Sequence, residues 1–150
     1  MQVYDISNNR EFMSKLLKSD LFDSFEVREI LLHTAFKMIL DGKRNTDYFD
    51  SSDETWGSQY LTWGEMRRYV YELIQGQKSP TYFKIVLATN HEKTMLLSQD
   101  ASAFNLNIQF KENHITCSTG TSYKLFTLDQ SVDKIWDKQI ETFLFQYHFI

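Results

Sequence analysis

Residues 104–128 read FNLNIQFKENHITCSTGTSYKLFTL, and the way this stretch folds back on itself decides the architecture. Phe104, Leu106, Ile108 and Phe110 alternate strictly with Asn105, Asn107 and Gln109, the period of a strand with one buried face. Glu112-Asn113 then turns the chain into a second strand, HITCS, on which Ile115 and Cys117 share a parity. The segment from Ser118 to Lys124 packs four hydroxyls and a glycine into five residues before the lysine. Thr119-Gly120 is expected to turn a second hairpin, with Ser118, Thr121 and Ser122 satisfying loose backbone groups, and YKLFTL to complete a three-stranded meander. The competing reading makes Thr121, Ser122 and Lys124 an anion contact. A phosphate-cradling loop, however, needs converging glycine N–H groups at a helix N-terminus, and here one glycine lies between strands.

Upstream, Val3–Ile6 reads as a short strand. In the helix that follows, Phe12, Met13, Leu16 and Leu17 share a face behind an Asn8 cap and the helix ends near Ser19. Ile30, Leu32, Thr34, Phe36, Met38 and Leu40 then alternate, with Asp41-Gly42 as the expected hairpin turn. Phe25 and Val27 lie on the opposite parity, so a bulge near Glu29 is required. In LTWGEMRRYVYELIQG, Thr62 and Glu65 form a capping box, Trp63, Met66, Val70, Leu73 and Ile74 a buried stripe, and Gly76 a stop. After Pro80 the order recurs: strand YFKIVLA, helix NHEKTMLLSQ, the meander, and a closing helix capped by Asp129 that carries Val132, Ile135, Trp136, Ile140, Phe143, Leu144 and Tyr147. Residues 1–76 and 81–147 thus read as two βαβββα units. The expected fold is α+β, one domain over residues 1–150, an antiparallel sheet with helices on one side. This order is similar to the TATA-binding-protein-like fold and to the sliding-clamp domain.

With 42% hydrophobic and 15% aromatic residues, 150 residues suffice for one sizeable core. The lone Cys117 has no disulfide partner within the chain, MQVYDISNNREF lacks a signal peptide's basic start and apolar run, and no window suits a membrane helix, so a cytoplasmic protein without membrane association is expected. The net charge of −4 comes entirely from residues 1–75 and disfavours sequence-independent phosphate binding. The histidines at 33, 91, 114 and 148 have no zinc-ligand spacing, and the carboxylates of DYFDSSDETWGSQYLTW (47–63) lack the alternation and glycine of a calcium loop. No catalytic residue, metal or cofactor is assigned. Cys117 reads as a buried small hydrophobe; Arg67 and Arg68 with Lys43 and Arg44 are a candidate basic patch, although arginines on the outer face of a helix are usually only solvated. Tyr48, Trp56 and Tyr60 are the candidate anchors for a protein partner, because loop aromatics are the usual interface anchors.

STGTSYKLFTLDQSVDKIWD, together with SDLFDSF, ILDG and FKIVLAT, resembles a family of small bacterial proteins from anaerobic Gram-positive organisms, known only as a domain of unknown function. The resemblance spans nearly the whole chain and implies a bacterial cytoplasmic protein, with no activity or site residue attached. The expected function is a non-enzymatic binding or adaptor module. A nucleic-acid-associated factor, by fold analogy, and an enzyme acting on a phosphorylated or acidic small molecule are the alternatives.

Overall fold

The computed structural model describes residues 1–50, 59–76 and 78–150. Its elements run β1 (Val3–Asp5), α1 (Asn9–Lys18), β2 (Glu26–His33), β3 (Lys37–Asp41), α2 (Trp63–Ile74), β4 (Tyr82–Ala88), α3 (His91–Leu97), β5 (Ala101–Lys111), β6 (His114–Tyr123) and α4 (Ser131–Gln146). The strands form a six-stranded sheet in the order β1-β6-β5-β4-β2-β3, every neighbouring pair antiparallel. The α+β class with an antiparallel sheet holds.

The local signals that depend on named side chains are realised. Asn8 Oδ1 accepts the Glu11 N–H at 3.0 Å. Thr62 and Glu65 complete a reciprocal capping box at the start of α2. Glu112 and Asn113 turn the β5–β6 hairpin at φ 51 and 65, a left-handed pair that Asn in particular tolerates. The bulge lies between Val27 and Glu29, leaving Arg28 as the extra residue.

Two turns and two strands differ from expectation. The β2–β3 turn is at Thr34–Phe36, not Asp41-Gly42, since Leu32 pairs with Met38 and Ile30 with Leu40. A hairpin whose paired residues share parity carries the alternation unbroken through its turn, so parity could not locate it. Gly42 is instead a point of close approach: its N–H donates to the Arg28 carbonyl at 3.3 Å, and a Cβ there would lie 1.8 Å from the Val27 oxygen. The Thr119-Gly120 turn does not exist. β6 runs unbroken from His114 to Tyr123, Gly120 pairs with Asn105, and no described glycine has positive φ. An eleven-residue β5 offers a backbone ladder that a five-residue β6 would leave half unpaired, and this outweighs the turn propensity of Thr-Gly. YKLFTL is therefore not a third strand, and each half places two strands, not three, between its helices.

The core lies between the sheet and α1, α2 and α4. Val27, Ile30, Leu32, Phe83, Ile85, Leu87, Phe104, Leu106, Ile108, Ile115 and Cys117 are buried against Phe12, Leu16, Trp63, Val70, Trp136, Ile140 and Leu144. Leu73 and Ile135, expected in the helix stripes, are instead exposed. Trp63 joins α1 to α2, its fully buried indole donating to the Leu16 carbonyl at 2.8 Å and satisfying an acceptor in the last turn of α1. Phe149, near the C-terminus, inserts beside Phe12 and Phe22. Arg44 and Arg67 are neither members of a basic patch nor merely solvated, because both are ion-paired. Arg44 is buried and bidentate to Glu65 at 2.9 Å, and Arg67 is bidentate to Asp23 at 2.9 and 2.8 Å.

Candidate functional site

Chemistry-bearing groups concentrate where β4 leaves the sheet at Ala88, β5 enters at Ala101 and β6 ends at Tyr123. Thr89 and Asn90 lead into α3 here. Thr89 is fixed by a short relay: its hydroxyl oxygen accepts the Phe104 N–H at 3.1 Å and lies 2.6 Å from Thr94 Oγ1, which donates to the Asn90 carbonyl at 2.7 Å. Asn90 Oδ1 accepts the Lys93 N–H at 2.8 Å, capping α3. This post separates two concavities that share Thr89, Asn90 and Glu92.

On the open face of the sheet is a polar cleft of about 690 Å³, lined among others by Glu26, Arg28, Tyr60, His91, Asn105 and Ser122. The bulge presents the Arg28 guanidinium 3.9 Å above the Tyr60 ring and 3.3 Å from Glu26 Oε1. Burial holds the Glu26 carboxyl above its ordinary range, against the opposing pull of Arg28. Asn105 Nδ2 donates to Ser122 Oγ at 3.3 Å.

On the helix side is an apolar groove of about 410 Å³ between α3, α4 and the α1–β2 connection, walled by Leu21, Phe25, Leu96, Ile140 and Phe143, with Gln139 among them.

Beyond β6, the Lys124 N–H donates to the Asp100 carbonyl at 3.0 Å, and the Tyr123 hydroxyl donates to Asp133 Oδ1 at 2.8 Å. Burial, and then the Asp133 carboxylate, push the Tyr123 phenol up to about 12. Between this anchor and α4, Leu125, Phe126 and Leu128 are 83%, 90% and 85% exposed. The N-cap of α4 is Gln130, which makes no side-chain cap, while Asp129 one residue earlier accepts the Ser131 N–H at 2.9 Å.

The sequence-assigned residues are redistributed by this arrangement. Thr121 and Ser122 are successive residues of β6 and project to opposite faces, and Lys124 lines a separate cleft with Asp100, Tyr123 and Asp129. The three do not converge. Ser122 and Tyr60, assigned to different roles, meet in the polar cleft. Tyr48 is 82% exposed and packs edge-on against Phe49. Trp56, with Asp53 and Glu54, lies outside the described residues. Cys117 is fully buried, its thiol pushed up to about 12 by burial, and it sits on the face opposite His114. Among the described residues no cluster of His, Cys, Asp and Glu has the makings of a metal site, and no helix is long and apolar enough to cross a membrane.

Sequence reading missed two features that carried a signal. Leu125 and Phe126 are adjacent apolar residues, which breaks the period of a strand. Gln139 stands between Trp136, Ile140 and Phe143 on the apolar stripe of α4, where a polar residue is out of place.

No curated protein and no solved structure matches the chain. A family model covers residues 15–149, from the middle of α1 to the buried Phe149, and so takes in the sheet from β2 onward, both concavities and the exposed loop. By that match the chain belongs to the family of unknown function DUF5721.

Proposed function

We propose that this protein is a non-enzymatic binding module that docks a protein partner through the loop between β6 and α4. The observation that carries the reading is the exposure of Leu125, Phe126 and Leu128, three large apolar side chains in four residues. Single exposed apolar residues are ordinary, but a cluster of them on one loop marks an interaction surface. The loop is short and held at both ends, by the Lys124–Asp100 backbone bond and by Asp129 on Ser131, so little ordering entropy opposes docking. Tyr48, also exposed, is a second candidate anchor on the same chain. The enzyme alternative draws no support from geometry, because Thr121, Ser122 and Lys124 face different surroundings. The test is a native-lysate capture with wild type and with Leu125, Phe126 and Leu128 all changed to Ser. This variant is expected to keep the wild-type melting temperature and to lose specific partners. An unaltered partner set removes the loop from its assigned role.

One observation favours a second reading, single-stranded nucleic acid on the open sheet face. At the end of the sheet away from the loop, the cross-strand register sets His114, Lys111, Tyr82, His33 and Lys37 in one row, with Lys84 in the next. The His33 and Tyr82 rings are 4.9 Å apart, and this pairing of stackable rings with cations is the chemistry of single-strand platforms. Titration of labelled oligo-dT and oligo-U at low and moderate salt decides it. Salt-sensitive binding that Tyr82→Ala and Lys84→Ala both weaken supports the platform, and absence of binding at low salt removes it.

A further inference from the structure

The sheet ends in β3, and among the described residues no strand pairs with the outer edge of β3. The register shows which backbone groups face outward. The Gly42 N–H donates to the Arg28 carbonyl at 3.3 Å and the Thr34 N–H to the Phe36 carbonyl at 3.0 Å, both in step with the Ile30–Leu40 and Leu32–Met38 pairs. The even-numbered residues of β3 therefore bond to β2, and Lys37, Ile39 and Asp41 turn their N–H and C=O groups away from the sheet. Their side chains lie on the open face, while Met38 and Leu40 pack against the core from the other side. Natural edge strands are usually defended by a proline, a bulge or an inward-pointing charge. β3 has no proline, pairs with β2 without a register shift, and presents Ile39 74% exposed at its midpoint, with Phe36 65% exposed just before it.

We infer that β3 pairs antiparallel with β3 of a second copy of this chain, about a twofold axis at Ile39, so that two sheets join into one. The charges select that partner and that register. β3 carries a cation, Lys37, at one end and an anion, Asp41, at the other. Antiparallel pairing centred on Ile39 sets Lys37 opposite the partner's Asp41 at both ends of the seam and Ile39 opposite the partner's Ile39, a self-complementary arrangement. Parallel pairing in register would oppose like charges at both ends, and an antiparallel slip by two residues would face Ile39 with a charge. The backbone agrees with the chosen register, because the residues with outward groups then meet one another as closely bonded pairs. On the helix side the same register sets Met38 against the partner's Leu40, and Phe36 over the partner's Gly42, where no side chain competes for the space. Asp41 Oδ1 accepts the Lys43 N–H at 2.9 Å, which holds the carboxylate in place and leaves Oδ2 to meet the lysine. The inference is independent of the loop reading, since β3 is one end of the sheet and β6, with its loop, lies toward the other.

Sedimentation velocity of the full chain, over a concentration series at low salt and neutral pH, reads the association. The seam is small, so the dimer is expected at concentrations on the order of 100 μM. Lys37→Glu and Asp41→Lys each place like charges at both ends of the seam and should each weaken dimerisation about tenfold or more. An equimolar mixture of the two variants restores opposite charges at both ends and should associate about as well as the wild type. In the wild type, amide exchange followed by NMR should slow at Lys37, Ile39 and Asp41 as concentration rises, whereas Met38 and Leu40 are protected by β2 throughout. A wild type that stays monomeric at about 1 mM, dimerisation unmoved by either reversal, a mixture no better than the single variants, or a dimer without added protection at the three amides each overturns the inference. Should a variant fail to fold, the wild-type exchange measurement still decides it.

Discussion

Replacing Glu65 by Gln should cost more than any surface ion pair is worth, and the structure says how much. Arg44 has a side chain only 1% exposed and meets both carboxylate oxygens of Glu65 at 2.9 Å. Glu65 Oε1 also accepts the Thr62 N–H at 3.1 Å, closing the capping box of α2. Gln keeps the box, since either Glu or Gln serves at that position, but removes the Glu65 charge from beside a buried guanidinium. Breaking a buried pair from one side costs about 3 to 5 kcal/mol. Here the carboxylate is 27% exposed, and Arg44 retains the Tyr60 carbonyl at 3.3 Å, so the expected loss for Glu65→Gln is nearer ~2 kcal/mol. Glu65→Leu adds the lost cap, ~1 kcal/mol more. Urea unfolding reads both, because with a slope of about 2 kcal/mol/M the Gln variant's midpoint falls by about 1 M. The hydrogen bond from Arg44 holds the Glu65 carboxyl below its ordinary value of 4.5. Its contribution is therefore fully present above that value and is lost as pH falls through the lower folded value, so the gap between wild type and Glu65→Gln should close in acid. A loss below about 0.5 kcal/mol at neutral pH, or a gap indifferent to acid, would show that the Arg44–Glu65 pair behaves as an ordinary surface pair.

Further outcomes follow from the packing. Gly42→Ala should destabilise by about 3 kcal/mol or more in the same unfolding assay, because its Cβ would fall 1.8 Å from the Val27 oxygen, whereas Gly120→Ala should stabilise by about 0.5 kcal/mol, its nearest neighbour being Asn105 Cβ at 3.8 Å. Trp63→Phe should cost about 1 to 3 kcal/mol, as it strands the Leu16 carbonyl that the indole now serves at 2.8 Å. Cys117, with its thiol pushed up to about 12 by burial, should react with a thiol reagent at neutral pH no faster than the chain unfolds; rapid labelling of the native protein would contradict its burial.

Features fixed by a few adjacent side chains were legible from the sequence. The Thr62/Glu65 box, the Asn8 cap and the Glu112-Asn113 turn all depend on groups within four residues of one another, and all form. Elsewhere long-range pairing overrides local preference. Thr119-Gly120 has turn chemistry, but Leu106 and Asn105 across the sheet hold it extended. Thr34-Ala35-Phe36 has none, yet it turns, because Leu32 and Leu31 find their partners in Met38 and Ile39. The site was less legible than the fold for the same reason. Ser122 meets Tyr60 only through a β6–β5–β4–β2 succession and a chain segment that returns from outside the sheet, and no spacing in the sequence encodes that meeting.

We propose the loop after β6 as a docking surface for a protein partner. A photo-crosslinking amino acid placed at Phe126, and separately at Tyr69 on the exposed face of α2, puts that claim to the most direct measurement when both chains are irradiated in the native host. One discrete crosslinked protein is expected from position 126 and none from position 69. The same products from both positions, or none from 126, would contradict it.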